Sequence, residues 1–222
     1  MRHPILFILL LVIPAFCFGQ DPAFLAQMDT RQLISFADRG NLLAQERLGS
    51  MYAAGNGIAQ DYVQAYKWLT LSIEGAVDNI WSNRRTETSA AMRKSLAEKM
   101  TPPQIEEAER LAKEWESNYE QKMGDRAYPS GWGVVTPKQV YGPMPGYTDR
   151  ARKARISGTV LVEFVVRKDG TVGDCTILRG LGHGLDESAI KTMTTQWRFQ
   201  PGTFKGKPVD VKAMAEVVFK LY

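Results

Sequence analysis

The sequence predicts a multidomain protein in which a helical region precedes a smaller domain that mixes helices and strands. Three observations support this division. Residues 22–122 show helical periodicity in segment after segment, residues 123–146 are rich in proline and glycine, and residues 147–222 switch between helical and strand patterns. A chain of 222 residues has room for two domains of ordinary size. We therefore expect a helical domain, a linker and a second domain over these ranges.

Residues 1–19 precede the helical region and have the pattern of a secretory signal peptide. Basic residues stand before an apolar run at residues 4–18, and small residues at Cys17 and Gly19 suit a cleavage site. A helix that spans a bilayer needs about 20 apolar residues. We therefore expect cleavage after Gly19, and an uncleaved inner-membrane anchor at residues 4–18 is the alternative.

The helical region is expected to contain a central helical hairpin with helices on both sides. The hairpin covers Ala44–Trp68, a short helix at Thr30–Arg39 precedes it, and the helices Thr86–Met100 and Pro102–Gln121 follow it. Flanking helices are needed because a single hairpin cannot bury its own apolar face. The last helix has a strong start signal, since Thr101 is a capping residue and prolines follow it.

The central hairpin carries small, aromatic and capping residues at regular spacing. Gly49 and Ala65 let two antiparallel helices approach closely, and Asp61 caps the second helix. The whole set is Leu48, Gly49, Tyr52, Gly55, Gly57, Asp61, Ala65 and Trp68. This spacing resembles the Sel-one-like repeat, a relative of the tetratricopeptide repeat. The resemblance implies an all-α helical-repeat region.

The second domain contains a predicted β-hairpin. Gly158–Arg167 and Thr171–Leu178 are rich in β-branched residues, and the turn Lys168–Gly170 separates them. Asp-Gly between two such runs favours a tight hairpin turn, because glycine adopts positive φ without steric cost.

A helix and a long strand are predicted after the hairpin. Leu185, Ala189, Met193 and Trp197 follow one another at steps of four and share a helical face. Between Val209 and Leu221, apolar residues alternate with polar ones. This period of two predicts a strand with one buried and one exposed face.

These elements resemble, in order and spacing, the TonB C-terminal domain of Gram-negative energy transducers. The resemblance rests on Tyr147–Gly158, the valine-rich strand, Asp169–Val172, Ile177-Leu178, Leu185-Asp186, Trp197–Pro201 and the final strand. It implies a small α+β domain with a three-stranded antiparallel sheet and two helices on one face. In that family the domain is periplasmic and binds a short extended segment of an outer-membrane transporter. Binding by strand addition uses main-chain hydrogen bonds to an exposed sheet edge.

The resemblance also implies where a partner binds. The final strand would offer the edge, with candidate residues Val209, Val211, Ala213, Ala215, Val217 and Phe219. Tyr147 and Arg150, at the start of the domain, are candidate partner contacts. The expected partner is an extended peptide segment of an outer-membrane or envelope protein, and a homodimer is left open.

The chain departs from energy transducers in lacking their long periplasmic spacer. Residues 128–146 reach at most about 60 to 70 Å when fully extended, and Trp132, Val134 and Val135 indicate partial packing. Engagement of an inner-membrane energy-coupling complex is therefore not expected. We predict a periplasmic protein-interaction module linked to TonB-dependent transport. The alternative is an envelope scaffold that binds a partner through its helical repeats without energy transduction.

No motif indicates an enzyme, a cofactor or a metal site. His183 lies beside Asp186, but a loop histidine next to a helix-capping carboxylate is usually structural. Cys175 is the one cysteine left after cleavage, and we expect a buried small hydrophobe there. The basic cluster within residues 150–155 is expected to be a solvated helix face. A formal net charge of +4 gives no support for a nucleic-acid partner.

Overall fold

The structure is a computed structural model that describes residues 12–14, 25, 27–76, 82–124 and 126–221. The chain divides into two compact units. We call residues 16–135 with 203–207 the helical unit, and residues 1–15, 136–202 and 208–222 the sheet unit. Apart from Val12–Pro14, the expected signal peptide lies outside the described residues.

The described residues of the helical unit contain five helices. They are α1 Thr30–Asp38, α2 Leu42–Ala54, α3 Tyr62–Glu74, α4 Ser82–Ala97 and α5 Pro102–Met123. The expected helical character of this region is confirmed. The largest difference is in α4, which begins four residues earlier and ends three residues earlier than the sequence pattern predicts.

The helices begin where their sequences supply capping groups. Asp29 caps α1 through its side chain, which accepts from the Gln32 backbone N–H at 2.8 Å. Asp61 caps α3 in the same way and accepts from Gln64 N at 3.0 Å. At α5 the Gln104 side chain accepts from Thr101 N at 2.8 Å. Each bond satisfies a main-chain group that a helix terminus would otherwise leave unpaired.

The hairpin of α2 and α3 depends on a close approach at Gly49. A Cβ atom there would lie 2.7 Å from Leu69 Cγ, which is closer than real side-chain contacts. Ala65 and Leu69 are fully buried beside it. A larger residue at position 49 would therefore push the two helices apart.

Part of the expected linker is packed into the helical unit. Trp132 donates from its indole Nε1 to Leu71 O at 2.8 Å and from its backbone N to Gly40 O at 3.0 Å. Gly133 N donates to Gly75 O at 3.0 Å. A Cβ on Gly75 would lie 1.8 Å from Trp132 Cδ1. The indole therefore occupies a position that requires glycine opposite it.

A short segment from late in the sequence completes the helical unit. β2, Val134–Val135, pairs antiparallel with β7, Thr203–Phe204. Phe204 stacks on Tyr128 with ring centroids 4.9 Å apart. Lys205 forms ion pairs with the carboxylates of Glu116 and Glu120 on α5.

The sheet unit contains two helices and most of the strands. In chain order these are β1 Val12–Pro14, β3 Lys138–Tyr141, α6 Asp149–Lys153, β4 Gly158–Val166, β5 Val172–Arg179, α7 Leu185–Gln196, β6 Arg198–Gln200 and β9 Val211–Phe219. The remaining strand, β8 Lys207–Pro208, pairs with β7. The main sheet has the order β1-β9-β4-β5, and all of its pairs are antiparallel. The expected three-stranded antiparallel sheet is confirmed as β9, β4 and β5. β1 adds a short fourth strand, and β3 pairs with β6.

The core of the sheet unit lies between the sheet and its helices. Leu185, Ala189 and Met193 of α7 are fully buried, as their spacing predicts. Trp197 is also fully buried, although α7 ends at Gln196. These side chains pack with alternate residues of β4 and β9 in one apolar cluster.

The hairpin turn depends on glycine. Gly170 has a φ of +82°, and a Cβ there would lie 2.1 Å from Phe199 O. Phe199 N donates to Gly170 O at 2.9 Å, so the turn and β6 are in direct contact. Any other residue would meet both backbone strain and steric overlap.

Within the described part of the chain, we find no helix that is both long enough and apolar enough to cross a bilayer.

Candidate peptide-binding edge

β9 is a regular strand along its whole length. It pairs with β4 through consecutive residues from Gly158↔Phe219 to Val166↔Val211, without a register shift. We call the side of β9 that faces away from β4 its outer edge. A regular strand presents N–H and C=O groups at even spacing along such an edge, which is the template that an added strand needs.

β5, at the opposite side of the sheet, is irregular. Its pairing with β4 shifts register twice, between Glu163 and Val165 and between Leu161 and Val162. At the first shift Asp174 has a φ of +48°, in the left-handed region. Extra residues of this kind are β-bulges, which bend an edge and interrupt its hydrogen-bonding groups. The edge of β5 is therefore a poor template for strand addition.

The outer edge of β9 already carries a strand in this structure. β1 pairs with it antiparallel through Val12↔Ala215, Ile13↔Met214 and Pro14↔Ala213. Among the described residues, this is the element paired with that edge, and it covers three residues of β9. The edge therefore accepts an extended segment in antiparallel orientation.

The candidate residues of the final strand place their side chains in the core. Val211, Ala213, Ala215, Val217 and Phe219 are buried, and all of them except Val211 belong to the apolar cluster beneath the helices. Val209 lies before β9, and its N–H donates to Gly202 O at 3.0 Å. These residues would offer a partner their main chain and not their side chains.

The opposite face of β9 carries the side chains that are left to meet those of an added strand. Lys212 is exposed there, Glu216 and Val218 are half-buried, and Met214 is buried with 7% of its surface exposed. Glu216 forms a long ion pair with Arg179 of β5, at 3.8 Å. These residues are not among the candidates predicted from the sequence, although the same alternation that buries Val217 places its neighbours on the other face.

Tyr147 has a structural role in the sheet unit. Its hydroxyl donates to Ile156 O, and its ring meets Phe219 edge-on with centroids 5.7 Å apart. Tyr147 therefore links the segment that begins α6 to the C-terminal end of β9. Arg150 lies on the exposed surface of α6, whose buried residue is Ala151. The structure leaves the Arg150 side chain available to a partner, and it holds Tyr147 near the same end of β9.

An exposed apolar surface lies on the segment before α6. Val140 and Tyr141 of β3 and Met144 are exposed by 71%, 57% and 50%. Two side chains hydrogen-bond to the main chain of this segment. Trp197 Nε1 donates to Pro143 O at 3.0 Å, and Ser188 Oγ donates to Gly146 O at 2.7 Å. The proline and glycine content of this segment predicts an irregular conformation. The segment is fixed by Ser188 of α7 and by Trp197, which directly follows α7.

The Asp186 carboxylate accepts hydrogen bonds from the main chain of the preceding loop and not from the His183 side chain. Its two carboxylate oxygens accept from Leu181 N at 2.8 Å and from Gly182 N at 3.0 Å. His183 is exposed, and its carbonyl accepts from Thr148 Oγ1 at 2.6 Å. This arrangement holds the loop before α7 and ties it to Thr148, the residue before α6, whereas the N-cap of α7 is Gly184 and has no side-chain cap.

Cys175 is half-buried in β5 with no disulfide partner among the described residues. Burial raises the pKa of its thiol, and the neighbouring Asp174 carboxylate raises it further. Both effects disfavour the thiolate, which is the reactive form. Within the same described ranges, no cluster of three acidic, histidine or cysteine side chains could hold a metal ion.

Comparison with known proteins finds a family match over residues 143–221. They match the family model described as the Gram-negative bacterial TonB protein C-terminal. The chain is 35% identical over 74 residues to Protein TonB of Klebsiella pneumoniae, which is 33% of this chain and 28% of that protein. It is 35% identical over 66 residues to Protein TonB of Escherichia coli K12, or 30% of this chain and 28% of that protein. The matched stretch therefore spans well under a third of these relatives.

Two solved structures are also similar to this chain. The solution structure of the Pseudomonas aeruginosa TonB C-terminal domain is 26% identical, with a TM-score of 0.31, and the match covers 40% of this chain and 87% of that one. A protective antigen of uropathogenic Escherichia coli that displays an SLR fold is 26% identical, with a TM-score of 0.34. That match covers 40% of this chain and 18% of the antigen.

Proposed function

From the premise that residues 143–221 form a TonB C-terminal domain, we propose that this domain binds an extended segment of another envelope protein along the outer edge of β9. The observation that carries the proposal is the contrast between the regular register of β9 and the bulged register of β5. Of these two described strands, β9 is the one whose edge offers evenly spaced main-chain groups over the length of a peptide strand.

Affinity in this arrangement comes from the main chain, and selectivity comes from side chains. The core-facing residues of β9 keep the strand straight and fixed to α6 and α7. Lys212, Glu216 and Val218, on the opposite face, then meet alternate side chains of the added segment. They combine two charges of opposite sign with one apolar group. A partner segment that places an apolar residue beside Val218 is favoured.

The biological setting follows the family. The partner is a segment of an outer-membrane or other envelope protein, the location is the periplasm, and the binding is linked to TonB-dependent transport. We do not propose that this protein transmits force from the inner membrane. The region that would serve as a spacer is short, and its residues 128–135 are packed within the helical unit.

A titration of isotope-labelled protein with a synthetic TonB-box peptide tests the proposal. We expect the amide signals of residues 209–221 to shift, with smaller changes in β5. The chain beginning at Gln20 should be used, so that β1 is absent. Unchanged spectra of β9 at about 1 mM peptide, a concentration at which a complex with a Kd of about 1 mM is half formed, would contradict the proposal.

A second proposal concerns the helical unit, in which a helical hairpin with flanking helices forms a repeat-like stack that holds an envelope protein. The regular packing of α2 against α3 at Gly49 favours it, since stacked hairpins present extended binding surfaces. Photocrosslinking from exposed positions on α2 and α3 in the full chain tests it. Capture of no specific protein in envelope extracts, where the same method on β9 succeeds, would remove this role.

A further inference from the structure

β1 occupies the same edge that the proposed partner needs. Val12, Ile13 and Pro14 pair with Ala215, Met214 and Ala213 along the outer edge of β9. These three residues lie inside the apolar run 4–18, which the sequence pattern assigns to a leader that is removed on export. One segment of the chain is therefore both the expected leader and the strand on the binding edge.

We propose that the N-terminal segment is an internal occupant of the peptide-binding edge, which closes the edge while residues 1–19 are attached and opens it once they are removed. This inference rests on the proposed function and on the expected cleavage after Gly19. It gives the leader a second role, which is to cover an exposed strand edge until the leader is removed.

The strength of the contact suits a temporary cover. A tethered segment acts at an effective concentration in the millimolar range, so a weak strand contact is formed while the tether is intact. β1 pairs with three residues of β9, whose full length is 9 residues. Pro14 has no N–H, which limits the hydrogen bonds that β1 makes. A partner that covers more of β9 therefore replaces β1 once the tether is cut.

The orientation of β1 adds a constraint on the partner. Antiparallel pairing places Val12 opposite Ala215 and Pro14 opposite Ala213. A synthetic peptide that copies residues 10–16, with lysines added at both ends for solubility, is therefore expected to bind the cleaved chain antiparallel to β9. A spin label at either end of this peptide reports its direction through the broadening of amide signals at the two ends of β9.

A full-length chain with a specific protease site inserted between Gly19 and Gln20 tests the proposal. Binding of a fluorescent TonB-box peptide is measured on monomer purified by gel filtration, before and after cutting. We expect the peptide to bind the uncut chain at least about tenfold more weakly than the cut chain, because the tethered strand competes with it. Amide exchange at Ala213–Ala215 should be slow before cutting and faster afterwards.

A proline substitution distinguishes strand pairing from other effects of the leader. Val12→Pro removes a main-chain donor from β1, so the uncut variant should bind the peptide as the cut chain does. Leu6→Pro makes the same chemical change outside β1 and should leave the uncut chain closed.

The possible outcomes separate this inference from the proposed function. Equal binding before and after cutting, with equal exchange at Ala213–Ala215, overturns the inference and leaves the proposed function standing. No binding by either form overturns the proposed function. In that case the exchange at Ala213–Ala215 still decides whether β1 covers the edge.

Discussion

The two edges of the main sheet, β9 and β5, differ although both strands pair with β4. β9 keeps one register over its whole length, while β5 is interrupted twice and holds Asp174 in the left-handed region. β9 also carries the strand β1, and β5 carries exposed Leu178 and Arg179 at its end. The difference makes β9 the better template for an added strand, because bulges interrupt the hydrogen-bonding groups along the edge of β5.

The largest effect is expected from breaking the hairpin that holds β5 in the sheet. Gly170→Ala combines a φ of +82° with a Cβ placed 2.1 Å from Phe199 O. We expect the free energy of unfolding of the sheet unit to fall by about 3 kcal/mol. Urea unfolding followed through amide signals of β4 and β5 measures it.

The matched control for this change is Gly182→Ala. Gly182 also has positive φ, at +68°, but no heavy atom lies within 4 Å of the Cβ position. Its cost should be about 1 kcal/mol, from backbone strain alone. Equal losses in the two variants would show that the contact with Phe199 has no part in the turn.

The second largest effect is expected from a charge on the strand edge that binds the peptide. Val218→Asp places a charge on the outward face of β9, and Leu178→Asp places the same charge on β5, where the side chain is 51% exposed. We expect the first to weaken binding of a TonB-box peptide about tenfold, equivalent to about 1.4 kcal/mol, and the second to change it less than about twofold. Isothermal titration on the chain beginning at Gln20 measures both. The reverse order would assign the binding edge to β5.

The third effect concerns the bulge at Asp174. Asp174→Gly keeps the bulge and relieves the positive-φ strain at this residue, so it should stabilise the sheet unit by about 1 kcal/mol. Deletion of Asp174 removes the extra residue, and we expect concentration-dependent self-association because β5 then presents a straighter edge. Sedimentation velocity compares the two variants. A deletion variant that stays monomeric at all concentrations would contradict the protective role of the bulge.

The smallest effect is on the chemistry of Cys175. Its folded pKa is raised by burial and by the Asp174 carboxylate, so the stability that it contributes is fully present below the unfolded pKa. That contribution is lost as the pH rises through the folded pKa. Alkylation should therefore begin at higher pH in the folded chain than in urea. Asp174→Asn should shift the profile towards lower pH, and an unchanged profile would leave burial as the whole cause.

Much of the local structure follows from the sequence. Asp61 caps α3, Leu185, Ala189 and Met193 share the buried face of α7, and the Asp169-Gly170 turn joins β4 to β5, all as their patterns predict. These features depend on residues a few positions apart. The hydrogen bonds and periodicities that define them are therefore visible in a short window of sequence.

The candidate site was only partly predictable. Alternation along β9 correctly indicates a strand with one buried face, but the residues selected from that face are buried. The less buried side chains of β9 are the intervening residues Lys212, Glu216 and Val218. The resemblance to the TonB C-terminal domain predicts which strand forms the binding edge. It does not predict which side chains of that strand are buried, because this depends on the face that the helices cover.

The sequence by itself determined the order of helices and strands, the caps and turns that bound them, and the α+β character of the last domain. Only the tertiary structure decided that Trp132 and Phe204 complete the helical unit, that β5 is bulged, and that β1 lies on β9. The physical reason is the range of the interactions. Caps, turns and periodic faces join near neighbours, whereas ring contacts, strand register and edge pairing join residues that are far apart in the chain and depend on the complete packing.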